Sequence, residues 1–395
     1  MASKFAFKKL KKTKYPSLEI NGVMTKKKKS FWERYAHKRL TTALAQYGDD
    51  KLFKLSNEER AALKKIRSST YFKAGMAGLL GIALLYLPYH LFRETLFPNR
   101  SMWIPFLNQN IEVEIEFLVY SLVLVFLEIW YLTLVNIHAV DAISRACGAP
   151  QMEQKEFERH VDDLVNIGLE RKQKELNKLG INPFAGLSKW SLFLYQTLVR
   201  LKATLTGFLW KILVARVLGR YAFRMLVDLL GGPIYAIWNM LGARKVMNEA
   251  LVRVMAPPLI ANLVHELKEQ FGDRDEFKQI IFPTLQTIAT SKRAYHYNHF
   301  LLAQSLVETF DLSTCPEYDP HFIQRIPELP ADLRMTVAKV IIFGIIIDGK
   351  LSLLEKRTLR KMKTQGVISC SVDQVKKWSK DYFEGRGLDD FIVHK

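Results

Sequence analysis

Two long uncharged stretches constrain this chain more than anything else in it. Residues 74–92, AGMAGLLGIALLYLPYHLF, contain no Asp, Glu, Lys or Arg. As a helix rising 1.5 Å per residue, 19 residues reach across a bilayer core. Residues 117–140, FLVYSLVLVFLEIWYLTLVNIHAV, form the second, with one acid, Glu128, near the middle. Lys73 and Arg93 bracket the first stretch, where their charged heads can snorkel to the interface. Ala74, Gly75, Ala77, Gly78 and Gly81 line its first half, as close helix contacts in lipid prefer. Ser56-Asn57-Glu58-Glu59 is a capping box that starts this helix, and no proline interrupts it before Pro88.

The charge is as uneven as the hydropathy. Of the net +19, residues 1–40 supply +11, from 13 Lys/Arg against two Glu. The connection at 93–116 reads as a short loop. It sets Arg93 and Arg100 against Glu94, Glu112, Glu114 and Glu116. Cytoplasmic flanks carry the Lys/Arg excess, so both termini are expected in the cytoplasm and the loop outside. The expected unit is a transmembrane helical hairpin over 56–141, with spans at about 74–92 and 117–139, in a multi-pass membrane protein. The competing reading makes both stretches buried helices of a soluble bundle. The arm at 1–55, with FKKLKKTKYP and TKKKKSFWERY, suits anionic lipid headgroups. A nucleic-acid role for it is expected only if the hairpin fails. A secretory leader is not expected, because no apolar segment appears until residue 74. Cys147, Cys315 and Cys370 are too few and too scattered for a disulfide framework, and read as reduced thiols.

Glu128 is a functional-site hypothesis by its depth, since a carboxylate there is costly. Its plainer reading is a neutral acid hydrogen-bonded inside the bundle. In an antiparallel hairpin it lies level with about Ala83, with no basic residue beside it.

Residues 152–180 read as a solvated helix with a narrow apolar face of Phe157, Val161, Leu164 and Leu169, ended by Gly180 and Asn182-Pro183. In the following apolar region Arg216, Arg220 and Arg224 recur every four residues on one face, extended by Asp228. A basic face opposite Trp and Phe predicts an interfacial amphipathic helix. Residues 229–243 are uncharged but broken by Gly231-Gly232-Pro233, and so read as an interfacial or re-entrant segment, or a core helix, rather than a span, with interfacial packing favoured. The whole of 142–256 is thus taken as a membrane-proximal region, and 257–395 as a cytosolic helical domain. The fold class is all-α.

Chemical motifs are scarce. His265-Glu266 opens like HExxH, but Glu269 stands where the second histidine belongs. His296 and His299 are three apart on a predicted helix and lack a third ligand, so no metal site is assigned. No Walker loop, GxSxG or GxGxxG is present, and no cofactor is expected.

The stretch GIIIDGKLSLLEK, 344–356, fails as a calcium loop. With Gly349 at position 6, Gly344 and Ile346 occupy two ligand positions. It reads instead as a helix end, an Asp348-Gly349 turn, and a second capping box from Ser352 to Glu355. An apolar helix, D-G-x-L-S-x-x-E and an amphipathic helix together resemble the tellurite-resistance TerB-like domain, over about 331–385. The rest is similar to uncharacterised bacterial two-span membrane proteins. The resemblance implies an all-α module of bacterial stress-response and membrane-associated assemblies, with acidic residues suggested to bind metal. Asp348 and Glu355 are the positions that carry over. Here they stand among Lys350, Lys356, Arg357, Arg360 and Lys361, and their own chemistry makes them a turn residue and a helix cap.

Three functions follow, in this order. The first is a membrane-anchored, non-enzymatic interaction or scaffold protein, with lipid and a protein partner bound through 257–395. The second is an oligomeric ion or solute transport component around Glu128. The third is a metal-dependent cytosolic enzyme at His296/His299.

Overall fold

The computed structural model describes residues 30–45, 55–98, 100–104, 109–147, 161–162, 164–165, 179–188, 191, 224–294, 296–313 and 318–388. Arg216, Arg220 and Cys315 lie outside them. Arg224 is described as the first residue of a helix, without its side chain.

Helix α1 spans Phe31–Ala45 and α2 spans Asn57–Leu91. The predicted capping box starts α2: Ser56 Oγ accepts from the Glu59 amide at 3.1 Å, and Glu59 Oε2 accepts from the Ser56 amide at 2.6 Å. Pro88 removes the donor that would serve the Leu84 carbonyl. The Tyr120 hydroxyl donates to that carbonyl at 2.6 Å, so the freed acceptor is satisfied inside the apolar layer. We expect Tyr120→Phe to cost about 1 kcal/mol, read as a lower midpoint in detergent unfolding.

The connection expected as a plain loop holds a short helix, α3 (Arg93–Leu96), and an antiparallel ribbon of β1 (Arg100–Ile104) and β2 (Gln109–Val113). This ribbon is the one departure from all-helical structure among the described residues. Arg93 Nε donates to Glu114 at 2.9 Å, and Tyr89, Phe97 and Phe117 pack against one another. Helix α4, Ile115–Ala146, then returns.

The larger correction concerns 229–243. Helix α5 runs unbroken from Arg224 to Phe271, through Gly231-Gly232-Pro233 and through Pro257-Pro258. The glycines serve packing rather than termination. A Cβ on Gly232 would meet Leu79 and Ile82 of α2 at 3.4 and 3.6 Å. A Cβ on Gly78 would lie 2.6 Å from the Ala236 backbone nitrogen, and one on Gly75 would lie 3.2 Å from Met240 Sδ. The small-residue face of α2 therefore receives α5, antiparallel, at backbone contact. The boundary expected at 256/257 falls inside this one helix.

Three helices, α2, α4 and α5, are long and apolar enough to cross a membrane. Their lower ends continue into a helical half built around α5. It contains α6 (Asp275–Lys292), α7 (Tyr297–Thr309), α8 (Phe322–Arg325), α9 (Ala331–Ile346), α10 (Leu353–Thr364) and α11 (Val372–Phe383). Helix α9 is apolar on nearly every side and is correspondingly enclosed, with Ile341, Ile342, Ile345 and Ile346 fully buried. Val161 and Leu164 of the expected amphipathic face are buried as well. Asn182 and Gln286 exchange two hydrogen bonds, of 3.1 and 2.6 Å, which fix the 182–185 turn on α6.

Candidate functional site

Exposed large apolar side chains are confined to a band. Among the described residues they fall between Phe72 and Leu96, between Leu118 and Tyr131, and between Tyr235 and Leu241, apart from Phe31, Met335, Leu353 and Leu354. In the most apolar 18-residue stretch of α4, 6% of the residues are buried, so this helix depends on an apolar surrounding. Arg244 and Lys245 follow the band on α5, and Lys73 borders it on α2.

Inside the band, Glu128 meets the other two helices. Asn239 Nδ2 donates to Glu128 Oε1 at 2.7 Å, and the carboxyl lies over Gly81, where an added Cβ would be 3.5 Å from Oε2. The acid thus sits at the three-helix junction, close to the depth expected. Asn239 is the one polar side chain in 229–243, a signal legible in the sequence once α5 is taken as a span.

At the end of the apolar band that leads into the helical half, α1 packs along α4. Trp32 lies 6.2 Å from Trp130 between ring centroids, Tyr35 Oη is 3.1 Å from His138 Nε2, and Arg39 Nε donates to buried Asp141 at 2.7 Å. The basic arm therefore enters the fold beside Trp130, at the edge of the apolar band.

The other polar concentration is in the core of the helical half. Lys292, at the end of α6, makes an ion pair with Asp348 and reaches Glu355 Oε2 at 3.4 Å and the Lys350 carbonyl at 2.9 Å. Both carboxyl groups are wholly buried. Asp348 Oδ1 accepts from the Lys350 amide at 3.0 Å, which makes the turn, and Gly349 takes φ +74°. Ser352 and Glu355 form the predicted capping box, with bonds of 3.2 and 2.6 Å. Burial raises Asp348 to about 6, against the pull of Lys292. Burial, with Asp348 adding repulsion, raises Glu355 to about 7. Burial alone would lower Lys292, but the two carboxyls outweigh it and hold the ammonium above its ordinary range.

His296 and His299 are engaged with protein groups. His296 Nδ1 accepts from the Asn298 amide at 3.2 Å, so its other nitrogen carries the proton that faces Glu249 Oε1 at 3.0 Å. His299 Nε2 donates to the Gly344 carbonyl at 2.8 Å. Burial depresses both rings, which favours neutral imidazoles. Among the described residues no group of three His, Cys, Asp or Glu has metal spacing. His265 and Glu269 form an exposed pair at 3.3 Å, and Glu266 binds Lys339 at 2.6 Å, so the HExxE stretch is a solvated face.

Asn298 Nδ2 donates to the Ile347 and Val252 carbonyls at 2.6 and 3.2 Å, and the Tyr382 hydroxyl donates to Val252 at 2.7 Å. This network ties α5, α6, α7, α9, α10 and α11 together around groups that bond to one another. An apolar cavity lined by Phe277, Ile281, Thr284, Leu306, Val337 and Val340 holds about 10 Å³, room for roughly one water. Neither a family model, nor a curated protein, nor a solved structure matches the chain.

Proposed function

We propose that this chain is a membrane-anchored, non-enzymatic interaction protein of the bacterial inner membrane. Helices α2, α4 and α5 hold it in the bilayer, the basic arm grips anionic headgroups, and the cytosolic half binds a protein partner. The band of exposed apolar side chains on three helices carries this reading. The cytosolic half supports it, because Lys292 with Asp348 and Glu355, and Asn298 with two backbone carbonyls, bind within the fold. The TerB-like reading of 331–385 belongs here too, as an adaptor module with Asp348 and Glu355 acting in the turn and the cap.

The topology that fits is fuller than a hairpin. Helix α5 is antiparallel to α2, and so is α4; α4 and α5 therefore run the same way. Residues 182–185 are fixed on the cytosolic half, whereas α5 begins near the level of Leu91. Ser188 and Arg224 then lie on opposite sides of the bilayer, and an even number of crossings keeps both termini on the cytoplasmic face. Ala222→Cys, in a chain lacking the three native cysteines, is expected to react with an impermeant maleimide from outside. Reaction only after lysis would restore the simple hairpin.

To test the partner role, a photo-crosslinking residue would be placed in cells at exposed Lys361 or Lys376. A discrete adduct with one other protein is the expected result. If no exposed cytosolic position gives an adduct, and Glu128→Leu abolishes function while assembly persists, the transport reading replaces this one.

A further inference from the structure

We infer that the turn into α10 makes a second contact with the bilayer, in which Leu353 and Leu354 enter an anionic headgroup layer flanked by Lys350, Lys356 and Arg357. This rests on the reading that α2, α4 and α5 lie in the membrane.

Position is the first argument. Gly349 packs against Val252 of α5, where an added Cβ would come within 2.5 Å of Cγ2, and its neighbour Phe383 lies under the Arg67 guanidinium of α2, 5.6 Å from the ring centroid. Val252 is seven residues below Lys245, and Arg67 six above Lys73 in the sequence, so both lie about 10 Å along their helices from the edge of the apolar band. Helix α9 begins at the opposite end of the cytosolic half, where Asp332 pairs with Arg274 beside Phe271. It ends at this turn. The start of α10 is therefore on the membrane-proximal side.

Surface chemistry is the second. Leu353 is 82% exposed and Leu354 42%; among the described residues after Phe271, Met335 is the one other exposed large apolar side chain. The two acids of the turn, Asp348 and Glu355, are sequestered by Lys292 in the core. What remains outside is leucine and cation: Lys350 and Arg357 are exposed and Lys356 is half-buried. Adjacent apolar and basic groups match the boundary of an anionic leaflet, where aliphatic side chains partition and Lys/Arg meet phosphate. Its place on the membrane-proximal side, beside Val252 and Arg67 about 10 Å from the edge of the lipid-facing band, selects the bilayer over a second protein as the occupant.

The test uses the full chain in single-copy nanodiscs, carrying Leu353→Cys labelled with a polarity-sensitive fluorophore in a background without native cysteines. With phosphatidylglycerol present, a blue-shifted emission and its loss to nitroxide-bearing lipid are expected. Both should fade in neutral phosphatidylcholine, and in the anionic discs when Lys350, Lys356 and Arg357 are changed to Gln. Emission that stays that of an aqueous probe in the anionic discs, or an environment indifferent to lipid charge, overturns the inference. The same label at Leu122→Cys on α4 keeps the two ideas apart. If Leu122 is quenched and Leu353 is not, only the second contact fails; if neither is quenched, the membrane reading fails with it.

Discussion

Lys292→Met is expected to destabilise the helical half outside the apolar band by about 3–5 kcal/mol at pH 8, the usual cost of stranding buried charge. The loss should be much smaller at pH 5. The sign follows from the two carboxyls. Both have folded-state values raised by burial, Asp348 to about 6 and Glu355 to about 7. A raised acid contributes stability that is complete below its unfolded value and is lost as pH rises through the folded one. The wild-type chain should thus weaken between about pH 4 and 7 on account of these groups. Removing the ammonium steepens that fall, because nothing then offsets two carboxylates in the core. Glu355→Gln should flatten it by removing one of the two raised acids. Lys292 itself titrates above its ordinary range and does not contribute in this window. Urea midpoints from pH 5 to 8, in one detergent, read the wild type and both variants. A pH-independent penalty for Lys292→Met would mean that its role is packing.

Gly78→Ala should cost about 3 kcal/mol, at the upper end of overpacking effects. The obstruction is backbone: the added Cβ would lie 2.6 Å from the Ala236 nitrogen and 2.7 Å from the Tyr235 carbonyl carbon. No rotamer change relieves that, so α5 must move off α2, taking Asn239 away from Glu128. The effect runs against intrinsic helix propensity, which favours alanine over glycine by about 1 kcal/mol. Gly242→Ala is the control. It has open space within 4 Å and should be neutral or stabilising. Thermal unfolding in detergent compares the two. Equal midpoints would remove the close α2–α5 contact from this account.

Local grammar was legible in the sequence. The boxes at Ser56 and Ser352 fall where a serine precedes a glutamate by three, and the Asp348-Gly349 turn falls where a glycine has to accept positive φ. The depth of Glu128 was legible too, because an antiparallel pair fixes the level of one span from the other. Gly231-Gly232-Pro233 misled, since a helix break and a close helix contact use the same residues. Only the partner surface, Gly75 and Gly78 on α2, distinguishes them. Lys292 was invisible for a related reason. Its carboxyl partners are 56 and 63 residues away, and no local pattern marks a lysine that the fold will bury. The histidines at 296 and 299 had metal-like spacing, but tertiary partners, Glu249 and the Gly344 carbonyl, occupy the nitrogens that face them.

The central claim is that the apolar band lies in a bilayer, with the β-ribbon on its far side. Ser101→Cys, in a chain without Cys147, Cys315 and Cys370, tests it in intact cells with a membrane-impermeant maleimide. Lys376→Cys serves as the cytosolic thiol. The account predicts labelling of residue 101 before lysis and of residue 376 only afterwards. Labelling of neither before lysis, with the protein released from membranes by salt, would contradict it.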